Sequence, residues 1–418
     1  MRRLPLTRAD LAAHPLAIGF FLPYFLMCAA DALLTPVLPV YAAQLGADYA
    51  GIGAVVGASA LGMIVSNLPS GMLIRRLGTR RTLLAALAVT VALLFFSLFI
   101  QSVFGLIVAR FCAGMALAAL NMSEHTYLSA AIDPRQRGRI IALFGGVMRL
   151  GFLVGPAAGG LLALLGGPGA AFAAAALLYA AALAIMGTLL PDVNEAIKSK
   201  GLPGQNRWHK LAREQGRTLA TAGLAQYLAQ MVRAGRPLLI PLYGATVLHL
   251  DVATIGAVLS IGALFDLGMF YPAGYIMDHY GRKWAIIPSF GIHALGLALI
   301  PFTHDVWGLT VVALIIGFGN GLGSGTMLTL ATDLAPADLR SEFISVWRLM
   351  GDVGTSTAPL IAGAIASAFS LTPAIWIIGA SGGLSILIFG LFVPETRPQD
   401  DETVMPLAEP HPAAPEPR

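Results

Sequence analysis

Long apolar runs, each closed by a short polar or basic turn, follow one another from about residue 15 to residue 393. Twelve can be marked, near 15–43, 51–75, 82–102, 104–131, 139–165, 168–190, 218–247, 252–277, 283–303, 306–333, 341–369 and 372–393. A helix needs about 20 apolar residues to cross a bilayer. Spanning strands of about 10 alternating residues do not appear, and lipid tolerates no open backbone, so each run predicts a spanning helix. Leu150 to Pro191 and Val353 to Pro394 carry no charged residue. Each is about 42 residues, too long for one crossing at about 1.5 Å per residue, so each must turn back once.

The runs repeat. Gly71 and Gly274 are 203 residues apart, as are Gly78 and Gly281, Gly114 and Gly317, Pro156 and Pro359, and Gly160 and Gly363. Pro39-Val-Tyr41 matches Pro241-Leu-Tyr243 at an offset of 202. A nearly constant offset across six spans marks a duplicated six-helix unit. An even number of spans per unit makes the two copies parallel repeats about an axis along the membrane normal.

Composition removes the soluble alternatives. Of 418 residues, 57% are hydrophobic and 11% charged, and the mean hydropathy is +0.76. A soluble chain carries about 25% charged residues, so a water-soluble enzyme is excluded. Apolar content also excludes disorder except at the ends. Cys28 and Cys112 both sit in apolar stretches and offer neither a disulfide framework nor a metal cluster. The basic start, with Arg2, Arg3 and Arg8, leads into a long apolar run with no small-residue cleavage site, which predicts an uncleaved first span.

Charge sets the topology. Arg75, Arg76, Arg80 and Arg81 follow span 2, and Arg135, Arg137 and Arg139 follow span 4. Six basic residues from Lys198 to Arg217 follow span 6. With the N-terminal arginines, Arg282, Lys283, Arg340, Arg397 and Arg418, all lie on one side, and the opposite loops hold none. Both termini are therefore expected in the cytoplasm. The net charge of +4 reflects this distribution and is no nucleic-acid signal. The expected organisation is a six-helix bundle over 1–190, a cytoplasmic linker over 191–217, a second bundle over 218–393 and a disordered cytoplasmic tail over 394–418. In the linker, Trp208-His-Lys-Leu-Ala-Arg-Glu214 reads either as a short amphipathic surface helix or as a solvated connection.

Two loops carry a related signature. Span 8 ends in Gly274-Tyr-Ile-Met-Asp278-His-Tyr-Gly281-Arg282-Lys283, and span 2 in Gly71-Met-Leu-Ile-Arg75-Arg-Leu-Gly78-Thr-Arg80-Arg81. Both resemble the Gly-x-x-x-Asp-x-x-Gly-Arg-Arg/Lys signature of the major facilitator superfamily. Span 4 holds Leu106-Ile-Val-Ala-Arg110-Phe-Cys-Ala-Gly114, which is similar to a second signature of that family. Span 5 holds Gly151-Phe-Leu-Val-Gly155-Pro156-Ala-Ala-Gly159-Gly160 and resembles the pattern of its twelve-span drug/proton antiporters. The resemblance covers about 15 to 393 and implies an all-α polytopic membrane protein, twelve helices in two pseudo-symmetric bundles.

The first loop departs from the family, with Arg75 in place of the acid. The family's arrangement puts span 2 beside span 11 and span 5 beside span 8. This implies a latch in which Arg75 faces Glu342 and Asp278 faces Arg139, as against unpaired surface charges.

Charged and ionisable residues within spans are costly and mark function. They are Asp31, Arg110, Glu124, His125, Arg149, Arg233, Arg236, Asp266, His293, Arg348 and Asp352. Spans 1 and 4 line the cavity in the family, so Asp31 is the expected proton carrier and Arg110 its modulator, unless the two form a fixed ion pair. Glu124 and His125, with Asn121, face the inner vestibule as further proton acceptors or lie wet at a helix end. Asp31 corresponds to Arg233 and Arg149 to Asp352, so duplicated positions carry opposite charges. Arg149 and Asp266 are expected to pair between spans 5 and 8. Arg233 and Arg236 either bind an anionic substrate or reach Asp31 across the cavity. His293 reads as a packing residue, and Asn320 as a possible substrate contact.

The expected function is proton-coupled export of a small amphipathic molecule from a bacterial inner membrane, by a monomer with no cofactor beyond the coupling proton. No phosphate-binding Gly-x-x-x-x-Gly-Lys-Ser/Thr segment occurs. A symporter or uniporter on the same fold is the alternative. A receptor or membrane-embedded enzyme is remote, since no nucleophile–base pair or His/Asp cluster stands at one interface.

Overall fold

The computed structural model describes residues 17–131, 137–191 and 205–396. Arg2, Arg3, Arg8, Arg135, Lys198 and the tail from 397 lie outside the described residues, as does the side chain of Arg139.

The apolar runs become helices. They are α1 (Leu22–Gln44, entered through a π-helical turn at Ala17–Phe21), α2 (Tyr49–Leu77), α3 (Thr79–Ser97) and α4 (Val103–Ala131). The helical stretch Arg137–Leu189 bends at Gly167, where φ is 73°, into α5 (137–166) and α6 (168–189). The second half has α7 (Gln205–Thr246), α8 (Val252–His279), α9 (Arg282–Leu299), α10 in two pieces (Val306–Leu322 and Thr326–Leu334), α11 (Arg340–Ala368) and α12 (Leu371–Phe392). Among the described residues nine helices are long and apolar enough to cross a membrane, α5 and α6 counting as one of them. Separating that pair and adding α7 and α11, which have the length but carry more charge, gives twelve crossings.

Two expectations need correction. Residues 205–217 are not loop but the first turns of α7, so Trp208 to Glu214 neither form a separate surface helix nor a solvated strand of linker. Span 10 is interrupted, because Gly325 takes a left-handed φ of 75° between the two pieces of α10.

The 203-residue repeat extends to individual hydrogen bonds. Asp48 caps α2 by accepting from Gly51 N at 2.8 Å, and Asp251 caps α8 by accepting from Thr254 N at 2.9 Å. Arg80 donates to Gly187 O and Leu190 O at the end of α6, and Lys283 donates to Gly390 O near the end of α12. A cation on the last carbonyls of a helix satisfies orphan acceptors and opposes the negative end of the dipole. The motif cations thus tie the third helix of each half to its sixth.

The halves meet through glycines. A Cβ on Gly53 would run into Pro359 O, and one on Gly256 into Pro156 O. Gly363 abuts Tyr49 O, and Gly160 abuts Val252 O. These contacts join α2 to α11 and α5 to α8 at the end opposite the basic loops. Ser367 Oγ reinforces that end, accepting from Ala50 N at 2.9 Å and donating to Asp48 at 3.0 Å. At the basic end the helices part. Gly71 meets only Met122 of its own half, at 3.5 Å, and no atom stands within 4 Å of a Cβ on Gly274. The molecule is closed at one end and open at the basic end.

Candidate functional site

The span 5 glycines position α1. Gly151 lies against Cys28, Gly155 against Ala29 and Ala32, and Gly159 against Leu33 O. Spaced by four, they form one stripe that lets the two backbones touch. Pro156 and Gly160 form the neighbouring stripe and face α8 of the other half. One motif therefore welds α5 to the helix that carries Asp31 on one side and to the opposite half on the other.

Asp31 sits midway along α1. Most of its helix neighbours are buried, yet its own side chain is accessible. Tyr179 of α6, 1% exposed, donates from Oη to Asp31 Oδ1 at 2.8 Å. Arg110 of α4 is the cation beside this carboxylate, and its Nε is buried without a hydrogen-bond partner. Tyr179 is buried and Arg110 half-buried, and the rest of the Asp31 carboxylate is accessible. Glu124 is 2% exposed, its Oε1 has no hydrogen-bond partner, and Asp31 is the charge it senses. His125 and Asn121 are accessible from the open basic end, and the His125 ring packs on Phe144 at 5.5 Å.

Around Asp266 of the second half the charges are mostly cations. Arg149 Nε lies 3.6 Å from Asp266 Oδ1, which brings together α5 and α8 across the two halves. Arg149 also donates to Ser324 Oγ at 2.5 Å and lies 4.6 Å over the Phe270 ring. Asn320 Nδ2 donates to Asp266 Oδ2 at 2.8 Å. Arg233 donates to Gly323 O at 2.9 Å and Arg236 to Leu259 O at 3.4 Å. Both have Asp266, rather than Asp31, as their neighbouring acid, so the expected reach across the cavity is not made. His293 is 1% exposed beside these two arginines, with both ring nitrogens lacking a hydrogen-bond partner. Asn67 of α2 donates to Asp352 Oδ2 of α11 at 3.4 Å, and Arg348 is the cation near that carboxylate.

The expected Arg75–Glu342 latch is replaced by another pair. Glu342, 1% exposed, pairs with Arg207, whose Nε lies 2.8 Å from Oε1 and whose Nη2 donates to Oε2 at 3.4 Å, while Arg75 stays exposed. Asp278 contacts Arg282 of its own loop at 3.4 Å, and Arg282 also reaches Asp333 at 2.9 Å. The physical reason is the open basic end, which holds α2 away from α11 and leaves Glu342 to the start of α7. Sequence reasoning missed Tyr179, Arg207, Asn67 and Ser324. A tyrosine within a 42-residue charge-free stretch was the available signal for the first; the others carried none.

The family model described as the Major Facilitator Superfamily matches residues 20–232 and 219–415. The class C tetracycline resistance protein of Escherichia coli is 25% identical over 84% of this chain and 89% of its own length. The quinolone resistance protein NorA of Staphylococcus aureus is 24% identical over 85% and 91%. Among solved structures, a D-xylose-proton symporter superposes with a TM-score of 0.72 at 16% identity, covering 91% of this chain and 98% of that one. A POT family transporter in complex with 5-aminolevulinic acid gives 0.75 at 14% identity, over 93% and 98%. The twelve-helix fold, the two halves and the matched length agree: the chain belongs to the Major Facilitator Superfamily and is a multi-pass secondary membrane transporter.

Proposed function

We propose that the chain exports a small amphipathic molecule in exchange for protons, by alternating access, with its basic end and both termini in the cytoplasm. The observation that carries this reading is Asp31, an accessible carboxylate at mid-helix held between a buried tyrosine hydroxyl and an arginine. When the cleft faces outward, Asp31 takes up a proton and becomes a neutral acid. When the cleft faces inward, it releases that proton, and Tyr179 and Arg110 hold the carboxylate that remains. Glu124 and His125 lie on the same helix toward the basic end and serve as the next proton acceptors. The glycine pattern of α5 supports exchange rather than symport through its resemblance to the span 5 pattern of the family's antiporters. The resistance proteins among the relatives point the same way.

The protein works as a monomer in the inner membrane, with the proton as its coupling ion and no other cofactor. Liposomes holding the purified protein and an internal pH dye test the exchange. Addition of lipophilic cations and organic anions should drive protons opposite to substrate, and Asp31→Asn should abolish that movement. Proton movement in the same direction as substrate would establish symport instead.

A further inference from the structure

Arg233 and Arg236 stand three residues apart on α7 and share one face of it. They lie at mid-helix, in the interior of a protein that sits in lipid. Each is half-buried. Asp266 is the one acid near both, and it is already engaged by Arg149 at 3.6 Å and by Asn320 at 2.8 Å. Three guanidinium groups therefore share one neighbouring acid, and of the three only that of Arg149 contacts it.

The remaining partners of the pair are neutral. Arg233 donates to the carbonyl of Gly323, and its Nε is buried without a partner. Arg236 has one long bond to the carbonyl of Leu259. A guanidinium has five donors in a planar fork that matches an oxyanion in two places, so most of this capacity is unfilled. A second observation is independent of the charges. His293 is fully buried beside both arginines, and neither of its ring nitrogens has a hydrogen-bond partner.

The backbone is shaped for the pair. A Cβ on Gly323 would run into the Arg233 guanidinium and Ser289 Oγ. The interruption of α10 after Leu322 places a glycine where Arg233 needs room. Unlike Arg149, which is tied across the halves, Arg233 and Arg236 have no anion of their own. Lysine would supply the charge but not the fork.

We propose that Arg233 and Arg236 form an oxyanion-binding subsite, so that the transported molecule carries a carboxylate or similar oxyanion on an apolar body. This rests on the transporter reading for its biological meaning, but binding itself needs neither a gradient nor proton exchange. The negative wall at Asp31 then takes the proton while the positive wall takes the anion. The two coupled species occupy opposite halves.

The test is equilibrium binding of radiolabelled salicylate to the purified full-length protein, without a membrane gradient. Saturable binding is expected at millimolar concentration or below, with salicylamide competing at least tenfold more weakly on the same wild-type protein. Arg233→Gln and Arg236→Gln should each weaken binding at least tenfold, while Arg213→Gln on the exposed start of α7 should not. The amide comparison uses only wild-type protein and so survives misfolding of either variant. Equal competition by the amide overturns the proposal, as does full affinity in well-folded Arg233→Gln and Arg236→Gln proteins. Binding of tetraphenylphosphonium with no binding of salicylate also overturns it, while leaving proton exchange standing. Salicylate binding without any substrate-driven proton movement would sustain the subsite and sink the exchange.

Discussion

Arg207 Nε lies 2.8 Å from Glu342 Oε1, and the same arginine donates to the carbonyl of Asp338. One half-exposed side chain at the start of α7 thus holds a wholly buried carboxylate at the start of α11. Glu342 is the residue that a latch to Arg75 would need. A latch between Glu342 and Arg75 at a closed basic end would require Glu342 to exchange Arg207 for Arg75. Breaking a fully buried pair costs about 3–5 kcal/mol; water reaches Arg207, so Arg207→Ala should cost on the order of 1–3 kcal/mol. It should also favour the closed basic end, read as slower alkylation of a cysteine placed at Asn121. Arg75→Glu should slow transport by setting two acids against each other when the basic end closes, while leaving the Arg207–Glu342 pair intact. Transport at the wild-type rate in Arg75→Glu would sink the latch.

The stripe on α5 predicts a contrast between glycines. Gly159→Ala puts a methyl group into Leu33 O, and Gly155→Ala one into Ala29 and Ala32. Overpacking of this kind costs about 1–3 kcal/mol, so the unfolding temperature in detergent should fall. Gly146 on the same helix has nothing within 4 Å of a Cβ, and Gly146→Ala should stabilise by up to about 1 kcal/mol from helix propensity. Equal effects at the two sites would mean that α1 and α5 do not touch through the motif.

Tyr179 is expected to tune Asp31 rather than carry protons. Tyr179→Phe removes a hydrogen bond to a charged group, worth about 1.5–3 kcal/mol. Transport should persist with an altered pH profile, whereas Asp31→Asn should lose pH dependence and proton movement together. An unchanged profile in Tyr179→Phe would separate the tyrosine from the coupling site.

Outside the membrane, Lys210 Nζ lies 2.6 Å from Asp338 Oδ2. The hydrogen bond from Lys210 holds the Asp338 carboxyl below its ordinary value, and Asp338 raises the Lys210 ammonium above its own. A lowered carboxyl contributes above its ordinary value of about 3.9 and is lost as pH falls through the folded value. A raised ammonium contributes below about 10.4 and is lost as pH rises through the folded value. A spin label at Ala212 should keep one mobility between these limits and loosen beyond either. It should also loosen with salt at neutral pH, since both partners are about half exposed. Mobility that ignores both salt and acid would show that this ion pair does not hold the start of α7.

The clamps at the helix ends should be unequal. Arg80 bonds two carbonyls of its partner helix, Lys283 one. Arg80→Ala should cost about 1–2 kcal/mol, and Lys283→Ala less, by thermal unfolding. The reverse order would show that the second bond of Arg80 contributes nothing.

Lipid as a solvent made much of this protein legible from its sequence. Twelve apolar runs, the one-sided basic loops and the 203-residue offset follow from local rules, since each helix must satisfy its own backbone and each half repeats the same unit. The spacing of Gly151, Gly155 and Gly159 announced a close helix contact. Which helix fills it, and that its Cys28–Leu33 segment carries Asp31, came only from tertiary packing. The partners of most charges were likewise a tertiary matter. Arg149 and Asp266 meet at mid-helix as their matching depths on spans 5 and 8 implied, but Glu342 takes Arg207 instead of Arg75, and Asp31 takes a tyrosine from α6. Side-chain partners depend on the rotation of each helix about its axis and on which end of the molecule is open. Both are fixed by contacts between residues more than a hundred positions apart, which no local pattern encodes.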